Sequence, residues 1–147
     1  MYPKEFIINF HFKKKITLRN RIALKRFITS RLLEHQRTGC EINYIFCSDE
    51  DLLTINRQHL DHDYYTDIIT FDLSETIGAG HLISDIYIST DRVKENATIT
   101  GNTFSSEFFR VIFHGVLHLI GYKDKTEKEQ KKMRVMEEEW LQKFLNN

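Results

Sequence analysis

Residues 113–124 read FHGVLHLIGYKD, and they combine an apolar helix with polar side chains at fixed intervals. His114 and His118 are four residues apart, so a helix places both imidazoles on one face, one turn from each other. Gly121 can adopt the left-handed conformation that ends a helix, and the reversed chain then brings Asp124 back towards the imidazoles. Two imidazoles and a carboxylate are common ligands of divalent metals. The segment therefore predicts a metal site with three protein ligands and an open position.

The alternative for this segment is a chance pair of histidines in a core helix. A helix this apolar is expected to be buried on almost all sides, and buried imidazoles need hydrogen-bond partners or a metal. A single ion would satisfy both rings, which favours metal binding. The apolar positions are Phe108, Phe109, Val111, Ile112, Phe113, Val116, Leu117, Leu119 and Ile120.

The length and composition indicate one domain. A chain of 147 residues can bury a core without disulfides, and its two cysteines, Cys40 and Cys47, do not form a CxxC motif. Reduced, unreactive thiols are therefore expected. No apolar run is long enough to span a membrane, and the N-terminus does not resemble a signal peptide, so we expect a soluble cytoplasmic protein without membrane contact.

The charge is balanced overall but not evenly distributed. The 21 basic and 21 acidic residues give no net charge, which provides no global signature of nucleic-acid binding. Between Lys13 and Arg37, however, nine basic residues accompany one acidic residue, Glu34. This segment is either a solvated helix face or a phosphate-binding patch, and composition does not distinguish the two.

The first half of the chain predicts a β-α-β unit. Residues 5–12 alternate apolar and polar side chains, which indicates a strand. Thr17 can cap a helix that runs to about Gln36, with an apolar stripe along one face. A second strand is predicted over residues 42–47, and the crossover is expected to be right-handed. The stripe consists of Leu18, Ile22, Leu24, Ile28, Leu32 and Leu33.

The second half predicts two strands and most of the helices. Ser48 and Asp51 form a capping box for a helix towards Leu60. Strands are predicted over residues 66–71 and 82–88, with a turn at residues 78–80, and they can pair antiparallel if they are neighbours. Further helices are predicted over residues 90–98, from Thr103 or Ser105, and from the capping box of Thr126 and Glu129. Residues 1–147 are thus expected to form one α/β (α+β) domain with a mixed sheet of about four strands, about five helices and the metal site on an apolar helix near the C-terminus.

A metal with an open position can activate water, so hydrolysis is the expected chemistry. The spacing of His114, His118, Gly121 and Asp124 matches the zincin pattern HExxHxxGxxH. Gly115, however, occupies the position where that pattern has its glutamate base, and glycine cannot transfer a proton. A zincin-like metallopeptidase is therefore the less favoured hydrolase.

The pattern His-Gly-x-Leu-His-Leu-x-Gly-Tyr-x-Asp resembles the signature of the YbeY family of bacterial rRNA maturation endoribonucleases. Residues 66–71, TDIITF, are similar to the TDVLSF strand of that family, and residues 84–89, SDIYIS, to its GDIxIS strand. Chain length and element order also agree. The resemblance implies a zinc-dependent, single-strand-specific endoribonuclease that acts on RNA, namely rRNA or the small ribosomal subunit, in rRNA maturation and ribosome quality control.

Three positions depart from the family. Asp124 stands where the family usually has a third histidine ligand, so another divalent transition metal could replace zinc. Leu60 stands where the family usually has an arginine, and Arg57, one turn earlier, is the candidate substitute for substrate binding. The alternative for Arg57 is a solvated helix arginine. Ser84 replaces a glycine.

Some assignments stay open at this point. Glu107, seven residues before His114, is either an acceptor for an imidazole or a surface glutamate near a helix start. His59 and His62 flank an acidic loop, but no role is assigned to them. If Asp124 is not the third ligand, a residue of the last helix such as Glu127 is the alternative. A non-catalytic metal module that binds ribosomal components is a further function class, although structural zinc sites usually have a fourth protein ligand.

Overall fold

The computed structural model describes residues 5–60, 65–76 and 80–146. These ranges contain the four strands and five helices expected from the sequence, and the fold class is confirmed. In chain order the elements are β1 (Phe6–Phe12), α1 (Arg21–Glu34), β2 (Gly39–Cys47), α2 (Asp49–His59), β3 (Ile68–Asp72), β4 (His81–Ser89), α3 (Thr90–Thr100), α4 (Phe104–Leu119) and α5 (Glu127–Leu145).

The strands form one mixed sheet in the order β1-β2-β4-β3. β1 pairs parallel with β2, as the predicted β-α-β unit requires, and β2 pairs parallel with β4. β3 and β4 pair antiparallel, because the segment between them is too short for a helical crossover. In the turn predicted between them, Gly78 and Ala79 lie outside the described residues.

One face of the sheet carries the main core. Alternate residues of β2 point to this face, and α1, α4 and α5 cover it. Phe27 of α1 lies 5.2 Å from Phe113 of α4 and 6.1 Å from Trp140 of α5, measured between ring centroids. α4 is buried on most of its surface, as predicted, and Met133, Trp140 and Phe144 of α5 belong to the same core. α4 therefore packs against both α1 and α5.

Gly115 sets how closely α4 approaches the sheet. A Cβ atom at this position would lie 3.0 Å from Cδ1 of Ile86 and 3.2 Å from Cδ1 of Ile68. Residue 115 thus faces strands β4 and β3 at a contact that leaves no space for a longer side chain. The glycine that replaces the zincin glutamate has a packing role, and a glutamate here would point into the core.

The opposite face of the sheet holds a smaller core beneath α2, formed by Cys47, Leu52 and Ile69. Cys40 and Cys47 are both buried free thiols. Burial raises the pKa of Cys40 to about 11 and that of Cys47 to about 12. Neither thiol is thus ionised near neutral pH, which agrees with the expectation of unreactive cysteines.

The start of α1 differs from the prediction. The helix begins at Arg21, and Asn20, with a φ angle of 57°, precedes it without any side-chain cap, so the proposed cap at Thr17 was wrong. Ile22 and Leu33 are 71% and 56% exposed and do not belong to the core face. Phe27 lies on that face, because its spacing from Leu24, Ile28 and Leu32 follows the helical period of the buried residues.

Helix capping elsewhere follows the sequence. The capping boxes of Ser48 with Asp51 and of Thr126 with Glu129 are both present. α4 is capped by Thr103, and Ser105 lies within its first turn.

Among the described helices, none combines the length and the apolar character needed to cross a lipid bilayer.

Candidate metal centre

The structure brings together the three side chains that the sequence predicted as ligands. Nε2 of His114 lies 3.3 Å from Oδ2 of Asp124, and Nε2 of His118 lies 3.2 Å from the same oxygen. Each of the three residues offers one ligand atom, and these three atoms all lie within 4.8 Å of one another. Ligand atoms placed tetrahedrally at 2.0–2.1 Å from a zinc ion are about 3.3 Å apart. The donor spacing therefore fits a transition-metal ion.

The loop after α4 positions Asp124 as expected. Gly121 has a φ angle of 112°, and the backbone N–H of Tyr122 donates a hydrogen bond to the carbonyl oxygen of Leu117 at 3.0 Å. A Cβ atom on Gly121 would meet no other atom within 4 Å, so the backbone conformation, and not the space, requires glycine. The chain reverses here and returns Asp124 to the histidine face of α4.

The second nitrogen of each ring has its own acceptor. Nδ1 of His118 donates to the carbonyl oxygen of Tyr122 at 2.9 Å, and Nδ1 of His114 donates to Oε2 of Glu137 at 2.5 Å. Because a carbonyl and a carboxylate can only accept, each Nδ1 carries a proton, and Nε2 is the ring atom that faces Asp124. This arrangement is typical of histidines that bind metals.

The charge at the centre also suits a cation. Burial lowers the pKa of His114, but the hydrogen bond to Glu137 and the charges of Glu137, Asp67 and Asp124 outweigh it, so the net pKa shift is upward. The raised pKa reports an excess of negative charge around the ring. A divalent ion would balance that charge, so the donor set and its electrostatics both fit a metal.

Glu137, and not the predicted candidate Glu107, accepts the hydrogen bond from an imidazole. Glu107 is buried, but its described ionic contact is with Arg110, at 3.7 Å. Glu137 is also buried, and it comes from α5, 23 residues after His114. The available signal was its position in the core stripe of α5, between Met133 and Trp140, where a carboxylate needs a specific partner.

The guanidinium of Arg110 lies among three carboxylates, including that of Glu137. It lies 3.7 Å from Glu137 and donates a hydrogen bond of 2.6 Å to Glu138, while it also approaches Glu107. The Arg110 side chain is 13% exposed, so its charge is committed to these carboxylates. The chain of contacts Arg110, Glu137, His114 links α4 to α5 at the metal centre.

Three cavities meet at His114. The inner cavity, of about 240 Å³, is lined by Asp67, Glu107, Arg110, His114, Arg134 and Glu137, among others. The strand cavity, of about 410 Å³, is lined by Thr66, Asp67, Thr70, Asp72 and the three candidate ligands, among others. The helix groove, of about 480 Å³, is lined by His114, Asp124, Glu127, Gln130, Lys131, Arg134 and Glu137, together with Met133. A substrate can therefore reach the triad from the side of β3 or from the side of α5.

Two residues of the strand cavity were not singled out by the sequence. Asp67 lines both the strand cavity and the inner cavity, and withdrawal from water raises its pKa, although the charge of His114 acts in the opposite direction. Oγ1 of Thr70 is buried and has no hydrogen-bond partner among the described residues. A carboxylate and an unsatisfied hydroxyl thus stand beside the candidate metal centre.

The remaining predicted positions are spread more widely. Arg57 lies on α2 and does not line any of the three cavities at His114, so its role in substrate binding stays a prediction. His59 contacts the ring of Phe71, and His62 lies outside the described residues.

Glu127, the alternative third ligand, lines the helix groove but is not among the three residues of the donor set. Ser84, which replaces the family glycine, is buried and donates to the carbonyl oxygen of Phe71 at 2.7 Å.

Comparison with known proteins identifies the family. The profile of the family described as Endoribonuclease YbeY matches residues 7–145. A relative from Cytophaga hutchinsonii, named Endoribonuclease YbeY, is 48% identical over 135 residues, which cover 92% of this chain and 93% of the relative. Its namesake from Flavobacterium psychrophilum is 42% identical over 138 residues, which cover 94% and 96% of the two chains.

The fold also has a counterpart among solved structures. The solution structure of TM1509 from Thermotoga maritima superposes with a TM-score of 0.61 and 24% sequence identity, covering 95% of this chain and 90% of that one. At this identity the similarity concerns the fold alone. The match to the family profile covers nearly the whole chain, and the curated relatives agree in length and name. The chain therefore belongs to the YbeY family.

Proposed function

We propose that this chain is a metal-dependent endoribonuclease that cleaves single-stranded RNA. The observation that carries the proposal is the convergence of Nε2 of His114, Nε2 of His118 and Oδ2 of Asp124, in a chain whose relatives are named endoribonucleases. The donor atoms lie at the junction of three cavities, so a phosphodiester can approach them. The recessed position favours a flexible single strand over a rigid duplex.

His114, His118 and Asp124 would hold one ion, with zinc as the proposed metal. When bound, such an ion supplies positive charge to the scissile phosphate and lowers the pKa of water. Glu137 and the carbonyl of Tyr122 keep the two rings oriented through their Nδ1 atoms. The carboxylate oxygen contributed by Asp124 is a harder donor than imidazole, so manganese or iron could also occupy the site.

Asp67 is the proposed proton acceptor. Its half-buried carboxylate borders the strand cavity and the inner cavity, on the sheet side of His114. A carboxylate oxygen placed there can take the proton from the attacking hydroxyl or water as the phosphodiester is cleaved.

The peptidase alternative has little support from the packing of α4. A zincin requires a glutamate at position 115, and Gly115 lies against Ile86 and Ile68 of the sheet. The structural-module alternative requires a fourth protein ligand, whereas the donor set among the described residues has three members. Both observations favour a hydrolytic centre that acts on another substrate.

The biological substrate is proposed from the family. Small-subunit rRNA is the proposed RNA, with a role in rRNA maturation and ribosome quality control in the cytoplasm. The whole chain, residues 1–147, is proposed to act as one catalytic domain, since the four strands form a single sheet and the family profile spans residues 7–145.

The test compares substrates under controlled metal content. Purified protein is stripped with a chelator, reloaded with zinc and incubated with single-stranded RNA, with duplex RNA of the same sequence and with casein. We expect zinc-dependent cleavage of the single strand, weak cleavage of the duplex and intact casein. Cleavage of casein, or equal RNA cleavage by the stripped protein, would contradict the proposal.

A further inference from the structure

One face of α5 lines a groove beside the candidate metal centre. Residues 127, 130, 131, 134 and 137 recur at helical spacing, and all line the helix groove. The stripe ends at Glu137, which accepts the hydrogen bond from His114. With a rise of 1.5 Å per residue, Lys131 lies about 9 Å along the helix from Glu137. The groove therefore runs along α5 between Glu127 and Glu137, beside the candidate ligands His114 and Asp124.

The two cations of this stripe are available to an anion. Arg134 is exposed, and it makes no hydrogen bond or ion pair with any residue in the ranges 5–60, 65–76 and 80–146. Lys131 lies 3.8 Å from Glu127, but both side chains are more than three quarters exposed, so this pair is weak. Arg110, by contrast, is engaged with three carboxylates.

The strand cavity on the other side of the triad differs from the helix groove in its cations. Asp67 and Asp72 line it, and its described lining includes neither lysine nor arginine. The helix groove also contains carboxylates, those of Asp124, Glu127 and Glu137, but Arg134 and Lys131 offset two of these charges. A phosphate therefore meets less repulsion in the helix groove than beside the carboxylates of the strand cavity. The asymmetry distinguishes two routes by which an RNA strand could reach the triad.

We propose that the helix groove binds the phosphate groups of the RNA strand next to the scissile bond, with Arg134 and Lys131 as the binding cations. The proposal rests on the endoribonuclease function above and adds the path of the substrate. Arg134, which lines both the helix groove and the inner cavity, contacts the phosphate nearest the metal centre. Lys131 contacts a phosphate further along the strand.

The test measures RNA binding separately from cleavage. A fluorescein-labelled, single-stranded 2′-O-methyl oligoribonucleotide is titrated with the protein as purified, and anisotropy is recorded over a range of salt concentrations. The variants are Arg134→Gln, Lys131→Gln and Arg134→Lys. Lys128→Gln is the matched control, because Lys128 is an exposed cation on the same helix and is not part of the groove lining. Metal content is measured for each protein.

Arg134→Gln is expected to weaken binding by about fivefold to tenfold at low salt and to reduce the slope of log K against log salt by about 0.7, the value for one phosphate contact with a single strand. Arg134→Lys should keep most of that slope, and Lys128→Gln should change neither quantity. Metal content should be equal in all variants.

Two outcomes would overturn the proposal in different ways. If the wild type binds and cleaves RNA while Arg134→Gln and Lys131→Gln match Lys128→Gln, the groove is not the path of the strand, and the endoribonuclease function stands. If the wild type neither binds nor cleaves single-stranded RNA, the proposed function fails, and the assignment of the groove fails with it.

Discussion

Oε2 of Glu137 lies 2.5 Å from Nδ1 of His114, and this hydrogen bond joins α5 to α4 at the candidate metal centre. The two residues are 23 positions apart, so the contact exists only in the folded chain. It fixes the tautomer of His114 and directs Nε2 towards Asp124. The packing of α5 against α4 and the geometry of the candidate metal centre are therefore coupled.

Glu137→Gln is predicted to weaken zinc binding by about 10-fold to 100-fold, the usual effect of removing the acceptor of a ligating histidine. The amide cannot supply the negative charge that the carboxylate gives to the His114 ring, although it has nearly the same size. Competition with a zinc chelator measures the affinity.

Glu138→Gln is the control for that variant. Glu138 is the next residue and also interacts with Arg110, but its side chain is half exposed and has no described contact with His114. Its zinc affinity should equal that of the wild type. Equal losses in the two variants would mean that disruption of Arg110, and not the hydrogen bond to His114, controls metal binding.

Asp67→Asn is predicted to lower the rate of RNA cleavage by about 10²-fold to 10⁴-fold, the range for loss of a positioned proton acceptor. Zinc content should not change, because Asp67 is not part of the donor set. Asp72→Asn, at the exposed end of the same cavity, is the matched control and should keep its activity. Single-turnover cleavage rates at saturating protein, with metal analysis of each variant, separate loss of chemistry from loss of metal.

Glu107→Gln is predicted to stabilise the fold at pH 7, although it removes a partner of Arg110. Burial raises the pKa of Glu107, and the nearby charges of Asp67 and Glu137 add to the shift, which exceeds the opposing effect of Arg110. Because the folded pKa is raised, stability is highest when the carboxyl is protonated and falls as the pH rises through that pKa.

The amide in Glu107→Gln cannot ionise, so the gain should be present at pH 7 and should vanish near pH 4, where the wild-type carboxyl is protonated. Urea denaturation midpoints at both pH values measure it. A midpoint below that of the wild type at pH 7 would show that the ion pair with Arg110 stabilises the fold more than burial of Glu107 costs.

Local sequence signals predicted much of this fold. Alternating side chains located the strands, and the capping boxes of Ser48 and Thr126 located two helix starts, because both signals act over a few residues. The spacing of His114, His118 and Asp124, with Gly121 between them, also depends on local backbone geometry. These features could be read from the chain alone.

Features that depend on tertiary packing were not predictable in the same way. The predicted start of α1 was wrong. Thr17 does not cap the helix, and Asn20, in the left-handed conformation, precedes its first turn. Glu137 and Arg134 of α5 and Asp67 of the segment before β3 line a cavity together with His114. Their roles follow from how these segments pack around His114, which no spacing rule within one segment describes.

The most direct test of the metal centre is the number of zinc ions per chain, measured by native mass spectrometry for the wild type, His118→Ala and Asp124→Ala. We expect one ion in the wild type and marked loss in both variants, because each removes one of three ligands. Asp124→His should restore the ion if the loop accommodates an imidazole. Full occupancy in Asp124→Ala together with loss in His118→Ala would contradict the account, since the third ligand would then lie elsewhere, with Glu127 as the first candidate.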